Sequence, residues 1–270
     1  MLPKLGKLSA PNITRDDIKK LVAKIAESAP IMANQVLAST SAVFSWATRE
    51  GIVTSNPARL IDRYATKDRE RILAESEVPT FWSALDDIDP VRAAALKVIL
   101  LTGQRPGEVA NMRREHIVDG WWQMPGEPVA DIWPGTKNGS SHRVWLCDQF
   151  RSLMPNDDAK VGFVFAGPRG GPVSRLNDAM RDICRKLGIE RTTPHDLRRT
   201  FGSTVTGQGF ERRAMDRLLN HADSSVGSIY DRHQYAKEDQ RIMTTVADRI
   251  MALAEGRDAD NIVALERPAS

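Results

Sequence analysis

From Thr14 to Glu50 the apolar positions Ile18, Leu21, Val22 and Ile25, then Val36, Leu37, Val43, Phe44, Trp46 and Ala47, recur mostly at intervals of three and four. That is the period of helices with one buried face, and it predicts a helix pair. Thr14, followed by Asp16 and Asp17, supplies a cap and first-turn acids for the first helix, and Gly51 stops the second. Ser55-Asn56-Pro57 then turns the chain. Tyr64 to Glu70 is polar and charged without a strong apolar period, which predicts an interdomain linker and a boundary near Arg71.

Beyond the linker the helical period returns. Helices are predicted from Glu75 to Leu85, from Pro90 to Leu101 with Thr102-Gly103 closing it, and from Pro106 to about Glu115. Residues 121–147 change character, because Trp121, Trp122, Trp133, Val144 and Trp145 alternate with polar residues and Lys137-Asn138-Gly139-Ser140 carries an Asn-Gly hairpin signal. A small antiparallel sheet is expected there, with a further short strand at Val161 to Phe165 and a loop from Gly167 to Pro172. Helices resume from Ser174 to Leu187, at Thr193-Pro194-His195, from Met215 to Leu219 and from Gln240 to Ala254, and Asp258 to Ser270 reads as a loose tail. The expected fold is mainly α with a small antiparallel β-sheet, an α+β chain. It divides into 1–70, 71–254 and a tail at 255–270.

Composition narrows the class. With 270 residues, 41% hydrophobic and 27% charged, the chain can bury a sizeable core. The strongest apolar run, Val91 to Leu101, is too short to span a bilayer and carries Arg92 and Lys97. No charged-then-apolar leader is evident, and Cys147 and Cys184 have neither a disulfide framework nor a zinc spacing, so a reducing cytoplasm is expected. The net charge of +3 is unevenly placed, since residues 1–70 hold 11 Lys/Arg against 7 Asp/Glu. Any polyanion-binding surface in the remainder must therefore arise from local clustering.

Five segments carry residue types suited to chemistry. In Leu101-Thr-Gly-Gln-Arg105-Pro-Gly-Glu108, Arg105 occupies the turn between two helices, beside unpaired N–H groups, where a planar guanidinium can grip two phosphate oxygens. Glu108 either fixes that arginine or accepts a backbone hydrogen bond. In Thr193-Pro194-His195-Asp196-Leu197-Arg198, a capped helix start puts His195 and Arg198 one turn apart on one face. The third segment is Leu218-Leu-Asn-His221, the fourth Ser228-Ile-Tyr230-Asp-Arg-His-Gln-Tyr235, and the fifth the hairpin tip with Lys137. Taken singly, each has an ordinary structural explanation: an Arg–Glu pair at a helix junction, a capping histidine, a core tyrosine, a solvated lysine.

Taken in order, they resemble the tyrosine recombinase family of the phage-integrase type. Its pattern is an arginine in a Thr-Gly-x-Arg-x-x-Glu turn, a hairpin lysine, His-x-x-Arg, a second His or Trp, and a tyrosine about nine residues later. Here Arg105, Lys137, His195 with Arg198, His221 and Tyr230 fall in that order, and the resemblance spans roughly residues 14–250. The stretch Ile229 to Tyr235 is similar to integrases of genomic islands and temperate phages. The family usually has a further amino-terminal helix, so the chain reads as an amino-terminally shortened member or a piece of a longer one. The resemblance then implies an incomplete helical core-binding domain at 1–70 and a catalytic domain at 71–254.

The resemblance also implies the chemistry. Tyr230 would attack a DNA phosphate to give a 3′-phosphotyrosine and a free 5′-hydroxyl, with Tyr235 as the alternative nucleophile. Arg105 and Arg198 would hold the non-bridging oxygens and Lys137 would protonate the leaving 5′ oxygen. His195 would serve as base or phosphate ligand and His221 as a hydrogen-bond donor. No metal and no other cofactor is expected. The implied partners are double-stranded DNA attachment sites, a homo-tetramer on two duplexes assembling from monomer or dimer, and an accessory DNA-bending protein; the implied setting is the bacterial nucleoid, with no membrane. Two other readings share the scaffold: a DNA-binding protein without strand transfer, and a type IB topoisomerase-like enzyme, which would engage one duplex rather than two.

Overall fold

The computed structural model describes residues 5–66, 70–155, 159–221 and 235–257, and the chain falls into two compact units, residues 1–69 and 70–270.

In the first unit a 3-10 turn at Ala10–Asn12 leads into α1 (Arg15–Ala26) and α2 (Pro30–Arg49). Thr14 caps α1 reciprocally: its hydroxyl accepts from the Asp17 N–H at 3.3 Å, while the Asp17 carboxylate accepts from the Thr14 N–H at 2.9 Å. Ile18 and Val22 meet Ala33, Leu37, Phe44 and Ala47 in one small core. The apolar period is broader than the buried face, because Val43 and Trp46 on α2 are exposed. After Gly51, at φ +71°, Asn56 ties the returning chain to α2 through the Ser41 carbonyl at 2.9 Å and the Ser45 hydroxyl at 2.8 Å.

The second unit is built around α4 (Pro90–Thr102), which follows the short α3 (Val78–Ala84). From Ala95 to Thr102 every α4 residue is buried, so this helix is enclosed on all sides. It packs against α8 (Pro194–Gly207) and α10 (Ala236–Ala254). Lys97 is accommodated within it by an ion pair to Asp86 at 2.6 Å and by lying over the Trp82 ring. The sheet has three antiparallel strands in chain order, β1 (Ile117–Val118), β2 (Trp121–Met124) and β3 (His142–Trp145). Trp122 pairs with Val144 and Met124 with His142, which turns Trp122, Met124 and Val144 into the core.

Several expected elements have different bounds. The helix expected from Pro106 to Glu115 ends after one turn and a half, as α5 (Pro106–Ala110). The Asn111 amide caps the Gly107 carbonyl at 2.8 Å, and Met112 turns fully inward. The strand expected at Val161 to Phe165 does not form. Gly162 stands at φ +108°, Val161 is exposed, and Phe163 makes only an isolated bridge to Arg113. Between α6 (Asp148–Arg151) and α8, α7 runs Leu176–Leu187, starting after Arg175 at φ +61°, and α9 starts early at Arg212 and runs to Leu218. The last helix starts at Ala236 rather than Gln240. The expected tail from Asp258 lies outside the described residues.

The Asn-Gly signal marks a turn but not a tight hairpin. Residues 125–141 form a long excursion between β2 and β3, braced at its base by the Trp133 indole N–H donating to the Pro125 carbonyl at 2.8 Å. At its tip, Gly139 N–H closes onto the Thr136 carbonyl at 3.1 Å with Gly139 at φ +71°, which presents Lys137.

Candidate active site

Four segments distant in sequence meet in the second unit, each placed by local chemistry. Gly103 ends α4 in the left-handed conformation, its N–H returning to the Ile99 carbonyl at 2.9 Å, and the chain re-enters helix at Pro106 with Arg105 at the cap position. At the start of α8, the Asp196 carboxylate accepts from both the N–H and the hydroxyl of Thr193, each at 2.8 Å, which fixes the turn carrying His195 and Arg198. The third segment is the Lys137 turn, and the fourth is the carboxy-terminal end of α9.

That helix end organises the site. Its last carbonyls have no partner within the helix, and side chains from the other segments take them in succession. Gln104, fully buried, donates to the Leu218 carbonyl at 2.9 Å, and His142 Nε2 lies 3.0 Å from the same oxygen, which makes Nε2 the protonated nitrogen. Arg198 donates to the Leu219 carbonyl and, at 2.8 Å, to the Gly103 carbonyl. Arg105 donates to the Asn220 carbonyl at 2.9 Å and to Glu108 at 3.0 Å. The arrangement uses the negative end of the α9 peptide dipoles to hold two guanidinium groups side by side.

The electrostatics follow from this crowding. Burial, and then the like charge of Arg105, push Arg198 down to about 10, against the opposing pull of Glu108, so it stays protonated at neutral pH. Partial desolvation by the surrounding protein, although His195 keeps an exposed face, and then the positive charges of Arg198, Lys137 and Arg199 hold its imidazole below its ordinary 6.5, with Asp196 acting in the other direction. His195 is exposed on the surface of α8 and Lys137 on its turn, so both face solvent beside the two arginines. His221 follows the ladder directly, its Nδ1 2.8 Å from the Asp216 carboxylate.

Of the residues expected from sequence, Arg105, Glu108, Arg198 and His221 are brought together with the His195 helix and the Lys137 turn. Of the two roles open to Glu108, the structure shows the pairing with Arg105. Tyr230 lies outside the described residues. Tyr235 immediately precedes α10, where its ring lies 4.1 Å from the guanidinium of Arg217; that arginine also bonds Asp239 at 2.9 Å and Glu238 at 2.6 Å. Sequence reading missed Gln104, His142, Asp216 and Asn220. Asn220 alone carried a local signal, an asparagine just past a helix end, where the left-handed conformation it adopts at φ +48° is common. Among the described residues no group of three or more His, Cys, Asp or Glu is placed to hold a metal, and no helix is long and apolar enough to cross a membrane.

Comparison with known proteins places both units of the chain in one family. The model of the phage integrase family matches residues 71–237, and that of the phage integrase central domain matches residues 1–64. Prophage integrase IntZ of Escherichia coli (strain K12) is 27% identical over 267 residues, covering 94% of this chain and 64% of its own length. Tyrosine recombinase XerC of Bradyrhizobium diazoefficiens is 29% identical over 149 residues, 51% of this chain and 44% of that protein. The chain thus spans less than two thirds of the length of these relatives. Among solved structures, a lambda integrase (75–356) dimer bound to a COC′ core site superposes with a TM-score of 0.66 at 19% identity, covering 82% of this chain and 83% of that one. A lambda integrase tetramer bound to a Holliday junction gives 0.62, also at 19% identity, over 80% and 66%. At such identity the likeness carries the fold.

Proposed function

Because this chain belongs to the phage integrase family, we propose that it is a site-specific DNA recombinase that cleaves and rejoins strands through a covalent 3′-phosphotyrosine. The observation that carries this reading is the carbonyl ladder at the end of α9, which holds Arg105 and Arg198 together with, among the described residues, only Glu108 and peptide oxygens to offset their charge. Such a clamp suits a phosphodiester whose negative charge grows as the phosphorane forms.

In this mechanism the Tyr230 oxygen bonds to phosphorus and the bond from phosphorus to the 5′ oxygen breaks. Arg105 and Arg198 stabilise the non-bridging oxygens. The tyrosine proton passes to His195, whose depressed pKa keeps it neutral and able to accept. Lys137 delivers a proton to the departing 5′ oxygen, and His221, its Nδ1–H held by the Asp216 carboxylate, donates to the phosphate through Nε2 in its doubly protonated form. Attack by another strand's 5′-hydroxyl reverses the sequence, so bond energy is kept without hydrolysis.

Residues 1–70 serve as a helical core-type DNA-binding part and 71–254 as the catalytic part, so the chain would grip duplex in two places. The partners are attachment-site duplexes and further copies of the chain, four on two duplexes, assisted by a DNA-bending protein at the bacterial nucleoid. The solved lambda integrase bound to a Holliday junction as a tetramer supports that assembly. The test is covalent trapping. A nicked duplex whose core sequence is selected on the full chain from a random pool should become attached to the protein, with and without a chelator. Hydrolysed product with no adduct would overturn the reading.

A further inference from the structure

The least constrained member of the site is the lysine. Lys137 is exposed, on the tip of the excursion between β2 and β3, and its four-carbon stem has ample rotamer freedom. A proton donor displaced by about an ångström from its acceptor loses most of its effect, so the turn itself must be held. Its internal bonds give it shape: the Thr136 hydroxyl donates to the Ser140 carbonyl at 2.8 Å, and Ser140 N–H donates to the Asn138 side-chain oxygen at 3.2 Å. Those bonds fix the turn's own form but not its position.

Trp133 and His142 brace the base of the excursion, and the direct tie between its tip and the arginine clamp comes from the residue next to the lysine. The Asn138 amide donates to the Asn220 carbonyl at 3.0 Å and lies 3.2 Å from the Asn220 side-chain oxygen. In return the Asn220 amide reaches the Asn138 side-chain oxygen at 3.3 Å and the Ser140 carbonyl at 3.4 Å. Asn220 is buried at 9% exposure and stands at φ +48°, a conformation glycine would adopt at no steric cost. Its side chain is therefore not required by the backbone; what it adds is the link to residues 138 and 140. The same Asn220 carbonyl also receives Arg105 at 2.9 Å, so the arginine clamp and the lysine turn are referenced to one oxygen atom.

We propose that Asn138 and Asn220 form an amide latch that sets the Lys137 turn in register with the arginine clamp, making both asparagines positioning residues for protonation of the leaving oxygen. The inference rests on Lys137 as the proton donor, and the chemistry of the leaving group separates the two. A nicked duplex with the selected core sequence is prepared in two forms, one normal and one with sulfur in place of the scissile 5′ bridging oxygen. A thiolate leaves without being protonated, so a defect confined to proton delivery vanishes on the sulfur substrate.

On the oxygen substrate, Lys137→Ala should slow adduct formation about 100-fold or more, and Asn138→Ala and Asn220→Gly about 10- to 100-fold. On the sulfur substrate all three should match the parent. Asn220→Gly keeps the left-handed backbone and the carbonyl used by Arg105, so it isolates the side chain. If Lys137→Ala is rescued by sulfur but the asparagine variants stay equally slow on both substrates, or match the parent on both, the latch is refuted while the lysine assignment stands. If Lys137→Ala itself is not rescued, the lysine assignment falls and the latch falls with it.

Discussion

Arg105 and Arg198 donate to the carbonyl oxygens of two consecutive residues, Asn220 and Leu219, so both guanidinium groups are anchored to one peptide segment. Two cations held this close repel, and burial of Arg198 adds to the cost. Replacing either by Ala should lower adduct formation by ~100-fold or more, the scale of losing one charge-stabilising donor in a transition state. Lys should restore little, because it lacks the planar fork. The two Ala variants should differ in stability from each other for different reasons. Arg198→Ala strands the Gly103 and Leu219 carbonyls, whereas Arg105→Ala leaves the buried Glu108 carboxylate without its cation, a loss of about 3–5 kcal/mol when a buried pair is broken. Urea melts read alongside adduct yields separate these effects; Ala variants with parental cleavage would remove both arginines from the site.

The turn that delivers Arg105 has no room for a side chain at Gly103. A Cβ there would stand 2.3 Å from the Phe201 ring and 2.7 Å from a Leu219 methyl, at φ +66°. Gly103→Ala combines left-handed strain of about 1–2 kcal/mol with overpacking of about 1–3 kcal/mol. Phe201 lies on α8, three residues from Arg198, and Leu219 accepts from Arg198, so relief of the clash displaces the clamp. Denaturant melts should show a loss of a few kcal/mol by that arithmetic, together with reduced adduct formation. A variant as stable as the parent would contradict the close packing of α4, α8 and the end of α9.

The His195 imidazole should titrate below 6.5, because partial desolvation and the charges of Arg198, Lys137 and Arg199 disfavour its protonated form. The sign for activity follows: a step that uses the neutral ring is lost as pH falls through this depressed value and is insensitive above the ordinary one. Lys137→Met removes one of the three depressing charges and should move the His195 titration upward, with Arg198 and Arg199 still in place. Following the His195 ring proton by NMR against pH tests both statements. A titration at or above 6.5, or one indifferent to Lys137→Met, would separate the lysine turn from this histidine.

Much of the fold was legible because its signals are local. The caps at Thr14 and Thr193 need an acid three residues on, and the stop at Gly103 needs a glycine past an apolar run. Reading failed where tertiary context overrode a local pattern. The apolar residues from Val161 to Phe165 suggested a strand, yet Gly162 breaks the extension, and Asn111 ends α5 a turn before the period fades. In the site, Arg105, Glu108, Arg198 and His221 were legible through the resemblance of their order to the tyrosine recombinase pattern. Gln104, His142 and Asn220 were not, because their partners lie 114, 76 and 82 residues away and no spacing encodes such pairs.

The surroundings of Tyr235 bear on the proposal that Tyr230, not Tyr235, is the nucleophile. The Tyr235 ring lies against the Arg217 guanidinium, and Arg217 bonds both Asp239 and Glu238 in the first turn of α10. Delivering the Tyr235 hydroxyl to a phosphate at the arginine clamp would mean breaking this stack and uncovering a cation tied to two carboxylates. Tyr230 lies nine residues after His221 in sequence, the separation of the family pattern. Tyr230→Phe should therefore bind duplex normally and form no covalent adduct. Tyr235→Phe, which keeps the ring over Arg217, should form adduct at close to the parental rate, while Tyr235→Ala should lower stability by about 0.5–2 kcal/mol through loss of a half-buried cation–π contact. Mapping the DNA-linked peptide by mass spectrometry decides the point, since a phosphodiester attached to Tyr235 would reverse the assignment and require the Arg217 stack to open during catalysis.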